Sequence, residues 1–442
     1  MVPILVKPIV GLVLVAAVAA LWLAWLSPAY PVALSGLPAV LIAVTGSNPL
    51  PKGGVAIMFA VWMVLGLAFA LLHRKPVLPP RLLVSAGVLL SFALLAWMLL
   101  RLEVSPAELY GTEKVQLYVA GNMVLLVVGL VIGWQRTDLK LLIALSFGVA
   151  TAGALVVLFQ FLSGTAETVL PDRFSISEEE NPILLGREAA TALIIGVYLI
   201  LASAGASARI WVLAALPVLA VVLVATGSRG PVVGGLSGLA LLLAFGAGTS
   251  SARRRLLLVL LAMLGCLALV PMLVPDAAVS RSLSIFSDAG AGLESNGRTE
   301  LWLLAYDTFG ANPLGGIGPG GFSAIQIAEL YPHNLFLEVA VELGLVGLLL
   351  TVALLGDAGW RLLRSWSAAG GEERLLTSLI IALFVTALVN SLFSGALPTN
   401  EQVWLWAGVA IGLDAQRRSG AARGSTEWRQ EPAIPGYGSA PP

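Results

Sequence analysis

Residues Leu82–Leu100 read LLVSAGVLLSFALLAWMLL, 19 positions without a charged side chain. A helix of that length reaches across the hydrocarbon of a bilayer, which takes roughly 20 apolar residues. The apolar positions run on continuously instead of alternating, so the segment is a helix and not a barrel strand. Those are the two structures whose backbone groups are satisfied in lipid. Similar runs recur at about 9–26, 30–45, 54–72, 115–134, 141–162, 186–205, 210–226, 231–248, 256–274, 334–355, 375–393 and 400–413. Of the 442 residues 58% are hydrophobic and only 11% charged, against roughly 25% charged in a soluble domain. The expected fold class is an all-α polytopic membrane protein.

The connections between these runs sort by charge. Arg74, Lys75 and Arg81 fall in one, Arg136 and Lys140 in another, then Arg209, then Arg253, Arg254 and Arg255, then Arg361 and Arg364, then Arg417 and Arg418. Every second connection is basic, which makes those the cytoplasmic ones. The others, about 101–114, 163–185, 227–230, 275–333 and 394–400, fall outside. The run 30–45 is short and holds Pro31, Gly36 and Pro38, so it or a neighbour is not expected to span, which leaves about a dozen crossings. The first run follows Lys7 without a small-residue cleavage site and reads as a retained membrane segment. Residues 275–333 read as a structured external loop, with a helix over Arg298–Phe309 that puts Leu301, Leu304 and Ala305 on one side. Residues 1–418 then form one helical membrane domain that includes this loop. Residues 419–442, polar and rich in Gly and Pro, read as a disordered cytoplasmic tail.

Lys and Arg together number 25 and Asp and Glu 25, so no electrostatic case for nucleic acid exists. The single cysteine, Cys266, cannot form an internal disulfide. No His, Cys and carboxylate grouping has the spacing of a metal site, and no cofactor motif is present. Of the two histidines, His73 abuts Arg74 and Lys75 and reads as an interfacial basic residue. His333 lies in Tyr331-Pro332-His333-Asn334, at the end of the long external loop and just before an apolar helix. An imidazole there can serve as a general base, or it can be a helix-start residue bonded to a loop carbonyl.

Three arginines sit on the side that the positive-inside rule keeps poor in basic residues. Arg187 opens a membrane helix in Gly186-Arg187. Arg229 lies in the hairpin Thr226-Gly227-Ser228-Arg229-Gly230, and Arg298 in Asn296-Gly297-Arg298-Thr299-Glu300. Each could be half of an ion pair, Arg187 with Glu188 or Glu178–Glu180, Arg298 with Glu294 or Glu300. Together with His333 they suggest a clamp for a diphosphate beside a base, since a guanidinium fork suits phosphate oxygens. Such a clamp can do the work of a divalent metal on a leaving diphosphate. The run Gly315-Gly316-Ile317-Gly318-Pro319-Gly320-Gly321 could cradle phosphate through N–H groups at Gly318 and Gly320. It could equally be a loop that turns tightly against the membrane.

His333-Asn334, nine intervening residues, and then Gly344-Leu345-Val346-Gly347 resemble the signature of bacterial O-antigen ligases. These share a superfamily with O-antigen polymerases and O-oligosaccharyltransferases. Gly186-Arg187, Ser228-Arg229-Gly230 and the stretch from Gly297 to Phe322 resemble the same superfamily, so the likeness covers about residues 180–350. It implies a GT-C-like glycosyltransferase of about twelve transmembrane helices with a large periplasmic loop. The enzyme would sit in the bacterial inner membrane with its active site facing the periplasm. It implies an undecaprenyl-diphosphate-linked glycan as donor, a sugar hydroxyl of lipid A–core or another glycan as acceptor, membrane lipids as surroundings, and inverting transfer without a metal. The family's essential histidine falls on His333 and its essential arginines on Arg187 and Arg229. Arg298, Asn334, Tyr331, Gly318 and Gly320 are expected to bind substrate. Many ligases carry Thr-Tyr after the second glycine. Here Leu348-Leu349 follow Gly347, which keeps a polymerase open as the alternative. A transporter or lipid flippase would also have many helices, but such folds gather charge near the bilayer midplane. A passive scaffold gives no reason for the external arginines.

Overall fold

The computed structural model describes residues 18–36, 54–73, 78–163, 174, 182–202, 205–246, 265, 270, 274, 276–287, 298–326 and 329–427. Every regular element among these is helical. The principal helices are α1 (Gly54–His73), α2 (Ala86–Leu102), α3 (Glu108–Trp134), α4 (Arg136–Leu162), α5 (Pro182–Leu201) and α6 (Ala206–Ala225). They continue with α7 (Arg229–Gly246), α8 (Asp276–Ser287), α9 (Arg298–Ala311), α10 (Leu335–Ser367), α11 (Gly371–Phe393) and α12 (Glu401–Glu427). Among the described residues six of them, α3, α4, α5, α7, α10 and α11, are long and apolar enough to cross a membrane. The chain is a helical, multi-pass membrane protein.

Helix centres fall where the apolar runs predict them, but several ends do not. α3 begins at Glu108, inside the connection expected at 101–114, and α10 runs on to Ser367 instead of ending near 355. Glu, Leu, Lys and Arg are good helix formers, so polar flanks carry the helix past the apolar window that locates it. α12 likewise extends beyond Ser419 to Glu427. Of the expected run 9–26 the structure describes a helix over 18–26, and of 30–45 only the short turns Ala29–Ala33 and Leu34–Gly36. Most of the run 256–274, including Cys266, and the acid triplet Glu178–Glu180 lie outside the described residues. The helix expected over Arg298–Phe309 is present as α9, with Leu301 and Ala305 buried against Phe322 and Val341.

Small residues let these helices touch. A Cβ on Gly129 of α3 would stand 2.2 Å from the Leu405 carbonyl of α12, and one on Gly408 of α12 would stand 2.0 Å from the Leu126 carbonyl of α3. Glycines four apart on both helices, at 129 and 133 and at 408 and 412, remove side chains from the seam. Close backbone packing of this kind drives helix association where lipid gives no hydrophobic push. α3 is also interrupted by a π-helical turn, Tyr118–Met123, where Asn122 Nδ2 donates to the Leu397 carbonyl at 3.0 Å.

α10 is kinked at Gly344, whose φ of 67° only glycine adopts at little cost. The chain before α10 docks into this kink. Ile317 and Gly318 donate to the Val341 and Glu342 carbonyls at 2.9 and 2.8 Å, and Leu345 donates to the Pro313 carbonyl at 2.8 Å. The Trp97 indole adds a bond to the Leu343 carbonyl. Backbone groups freed by the kink are thereby satisfied inside the protein, as the membrane requires. The kink fixes residues 313–320 against the turns of α10 on either side of Gly344.

Candidate active site

His333 and Asn334 sit at the mouth of α10. Asn334 is the N-cap: its Oδ1 accepts from Phe336 N at 3.1 Å and Leu337 N at 3.2 Å. The side-chain oxygen of Asn334 is committed to the helix start, which leaves the Nδ2 donors as the part of the amide that could meet a substrate. His333 has φ 56°, the one non-glycine residue with positive φ among those described. Backbone strain of this kind persists where the surroundings impose it and concentrates at functional sites. Here the Trp302 indole imposes it in part, by donating to the Pro332 carbonyl at 2.9 Å. The imidazole does not bond a loop carbonyl. Its Nε2 lies 3.1 Å from Glu329 Oε2, and the Tyr331 ring packs edge-on against it at 4.6 Å.

Tyr331 connects the histidine to the rest of the site. Burial, then the Glu338 and Glu329 carboxylates, push its phenol above the ordinary pKa, while Lys114 and Arg187 pull it back. Arg187 itself is buried on the second turn of α5. Gly186 brings that turn against the α6–α7 hairpin, since a Cβ there would stand 3.0 Å from both Thr226 Oγ1 and Pro231 Cγ. The guanidinium reaches the segment between α11 and α12. Nη2 donates to the Ser394 carbonyl at 2.9 Å, to Asn400 Oδ1 at 3.0 Å and to the Asn390 carbonyl at 3.4 Å.

The other two arginines form a second group. Gly227, at φ 59°, turns the chain so that Arg229 becomes the first residue of α7. Arg229 Nε donates to the carbonyl of Arg281 in α8 at 3.3 Å. Arg298, half-buried at the start of α9, has its charge disfavoured by burial and by the guanidinium groups of Arg229 and Arg281; Glu329 opposes that shift. Like charges brought this close destabilise one another, and an anion bound among them relieves the repulsion. Glu329 thus touches His333 and neighbours Arg298, joining the histidine to the arginine group. Tyr331 feels the charges of Arg187 and Glu329, and Arg298 those of Arg229 and Glu329, so these groups share one electrostatic neighbourhood.

The glycine run has a different job from the one expected of it. Gly318 N donates to the Glu342 carbonyl at 2.8 Å, Gly320 N to Glu342 Oε2 at 2.9 Å and Gly316 N to the Asn312 carbonyl at 3.0 Å. Gly318 and Gly320 thus do not offer phosphate a cradle of free N–H groups. Their φ values of 92° and 76°, with Ser105 and Gly111 backbone 2.7 Å from where a Cβ would stand, make this the tight turn instead.

Three functional groups escaped the sequence reading. Glu329 has no signal beyond its place four residues before His333, and Arg281 has none beyond being basic in the long connection 275–333. The third group was legible. Glu338 and Glu342 stand four apart on an apolar helix, one face carrying two acids in a membrane segment. Both meet Lys114 of α3, which lies 2.5 Å from Glu338 Oε1 and 2.7 Å from Glu342 Oε1. All three side chains are buried. Glu338 Oε2 also accepts from Leu397 N at 2.8 Å. This cluster ties α3, the glycine run, the start of α10 and the segment that holds Arg187.

A protein-family model described as O-antigen ligase matches residues 213–352. The match takes in Arg229, Arg298, His333 and Gly344, and Arg187 lies before it. No curated protein matches the chain.

Proposed function

We propose that this chain, whose residues 213–352 belong to the O-antigen ligase family, moves a glycan from undecaprenyl diphosphate to a sugar hydroxyl of lipid A–core at the periplasmic face of the inner membrane. One observation carries the reading: Glu329 bonds the His333 imidazole at 3.1 Å, and its charge also acts on Arg298 of the arginine group. His333 takes the proton of the acceptor hydroxyl as its oxygen attacks the anomeric carbon. The bond from that carbon to the diphosphate breaks on the opposite side, so the configuration inverts. The electron pair leaves on the diphosphate, whose growing charge Arg229, Arg298 and Arg281 offset. Arg187, held by the Ser394 carbonyl and Asn400 Oδ1, is the further arginine expected to hold the diphosphate. No step needs a metal.

On this reading the chain crosses the membrane about twelve times. Residues 1–418 are the membrane domain, residues 275–333 the periplasmic loop, and residues 419–442 a cytoplasmic tail. The end of the bundle that carries Arg136, Lys140, Arg361, Arg364 and Arg417 faces the cytoplasm by the positive-inside rule. The opposite end, with His333, faces out. A polymerase that joins one lipid-linked repeat to another would use the same donor site, and Leu348-Leu349 after Gly347 favours that second reading.

A deletion strain complemented with variants tests both. His333→Ala and Arg229→Ala are expected to abolish transfer while the protein still reaches the membrane. Loss of a ligase strands long glycan on its lipid carrier, and loss of a polymerase leaves single repeats. A His333→Ala protein that transfers glycan normally sinks the assignment.

A further inference from the structure

Glu329 sits on the surface segment before α10, four residues from His333, with its side chain about half exposed. Its Oε2 is 3.1 Å from His333 Nε2. The other ring nitrogen, Nδ1, is buried and has no hydrogen-bond partner among the described residues. An ionised carboxylate only accepts hydrogen bonds, so a bond at Nε2 requires the ring to carry its proton there. The lone pair of the neutral ring is then on Nδ1. The strained backbone of His333 and the Trp302 bond to the Pro332 carbonyl place its Cα. Neither decides which nitrogen is protonated, and Tyr331 offers the ring an edge rather than a hydrogen bond.

We propose that Glu329 is the positioning residue of the general base: it holds His333 with its hydrogen on Nε2, so that Nδ1 receives the acceptor's proton. The inference rests on the transferase reading. In the step it serves, the acceptor O–H breaks and an Nδ1–H bond forms. The acceptor oxygen bonds the anomeric carbon, and the carbon–oxygen bond to the diphosphate breaks with its electron pair going to the phosphate. The ring is then an imidazolium, which the adjacent carboxylate stabilises, until the proton passes to solvent as the products leave. A carboxylate behind a working imidazole sets both ring orientation and tautomer, and losing such a partner typically costs about 10–100-fold.

Glu329 also neighbours Arg298, so a rival role is plain: a counter-ion that only tempers the arginine group. Steady-state kinetics separate the two. The full-length protein in detergent is supplied with donor and acceptor lipids extracted from the deletion strain. Glu329→Ala is expected to lower kcat by about 10–100-fold with donor KM unchanged. Glu329→Gln, whose amide can donate to Nε2 as readily as accept from it and carries no charge for the imidazolium, is expected to lose most of the same activity. An unchanged kcat for Glu329→Ala, alone or with a lowered donor KM, overturns the proposal, because it leaves the carboxylate acting on donor charge alone. So does a Gln variant as fast as the wild type. If His333→Ala stays active, the transferase reading itself has failed. If His333→Ala is dead while Glu329→Ala is normal, only this inference has.

Discussion

The two ends of the helix bundle treat charge in opposite ways. At the basic end, acids and bases interleave. Asp414 accepts from Arg364 at 2.5 Å, Arg418 at 2.6 Å and Arg361 at 3.3 Å, and Arg361 also holds Asp357. Arg136 pairs with Glu373, and Lys140 with Glu372. At the end with His333, the guanidinium groups of Arg229 and Arg281 instead lie close enough to disfavour the charge of Arg298, with Glu329 opposing them. The nearby acids Glu338 and Glu342 are paired with Lys114. Gathering like charges costs stability, and the cost makes physical sense where a multiply charged anion arrives.

The largest effect is expected where the acids are held away. Lys114→Met leaves Glu338 and Glu342 buried together without their cation. Removing one partner from a buried ion pair costs about 3–5 kcal/mol, so thermal unfolding in detergent should move down sharply or the folded protein should be lost. Adding Glu338→Gln and Glu342→Gln removes the stranded charges and is expected to return much of the stability. If Lys114→Met unfolds like the wild type, the cluster is not what holds α3, α10 and the Arg187 segment together.

The arginines give the next effect. Arg298→Ala is expected to cut transfer about 10²–10³-fold, or roughly 3–4 kcal/mol of transition-state stabilisation. Arg281→Ala should act in the same direction. Arg361→Ala, at the basic end, should leave transfer per folded molecule unchanged. Equal losses at the two ends would erase the distinction between them.

The sequence made much of this visible, for reasons that particular residues explain. Apolar runs located the membrane helices because hydropathy is a property of the segment alone. Arg187, Arg229, Arg298 and His333 stood out because basic residues at the ends of apolar runs, away from the most basic connections, are expected to be few. Gly318 and Gly320 lie in the expected loop, but their N–H groups are already used by Glu342, a partner more than 20 residues away that no local pattern encodes. Asn334 Oδ1 is used by the helix start two and three residues on, an N-cap of the kind a sequence does show before an apolar helix. Glu329 was missed because one acid in a surface segment becomes informative only when a folded backbone turns it toward a histidine. The family signature itself gains a physical reason: Gly344 is where α10 must bend to admit residues 313–318.

The smallest effect belongs to the most ordinary contact at the basic end. Lys140 Nζ lies 3.0 Å from Glu372 Oε1, with side chains 52% and 58% exposed. Water screens such a pair, and holding two long side chains together costs entropy, so its net worth is about 0–1 kcal/mol. Lys140→Ala should therefore shift thermal unfolding barely at all, and less still in high salt, where charges more than a few ångströms apart no longer interact. Transfer should be untouched. A marked loss of activity from Lys140→Ala would mean that the basic end takes part in turnover, and that the separation between a charge-matched end and a charge-gathering end does not describe how this molecule works.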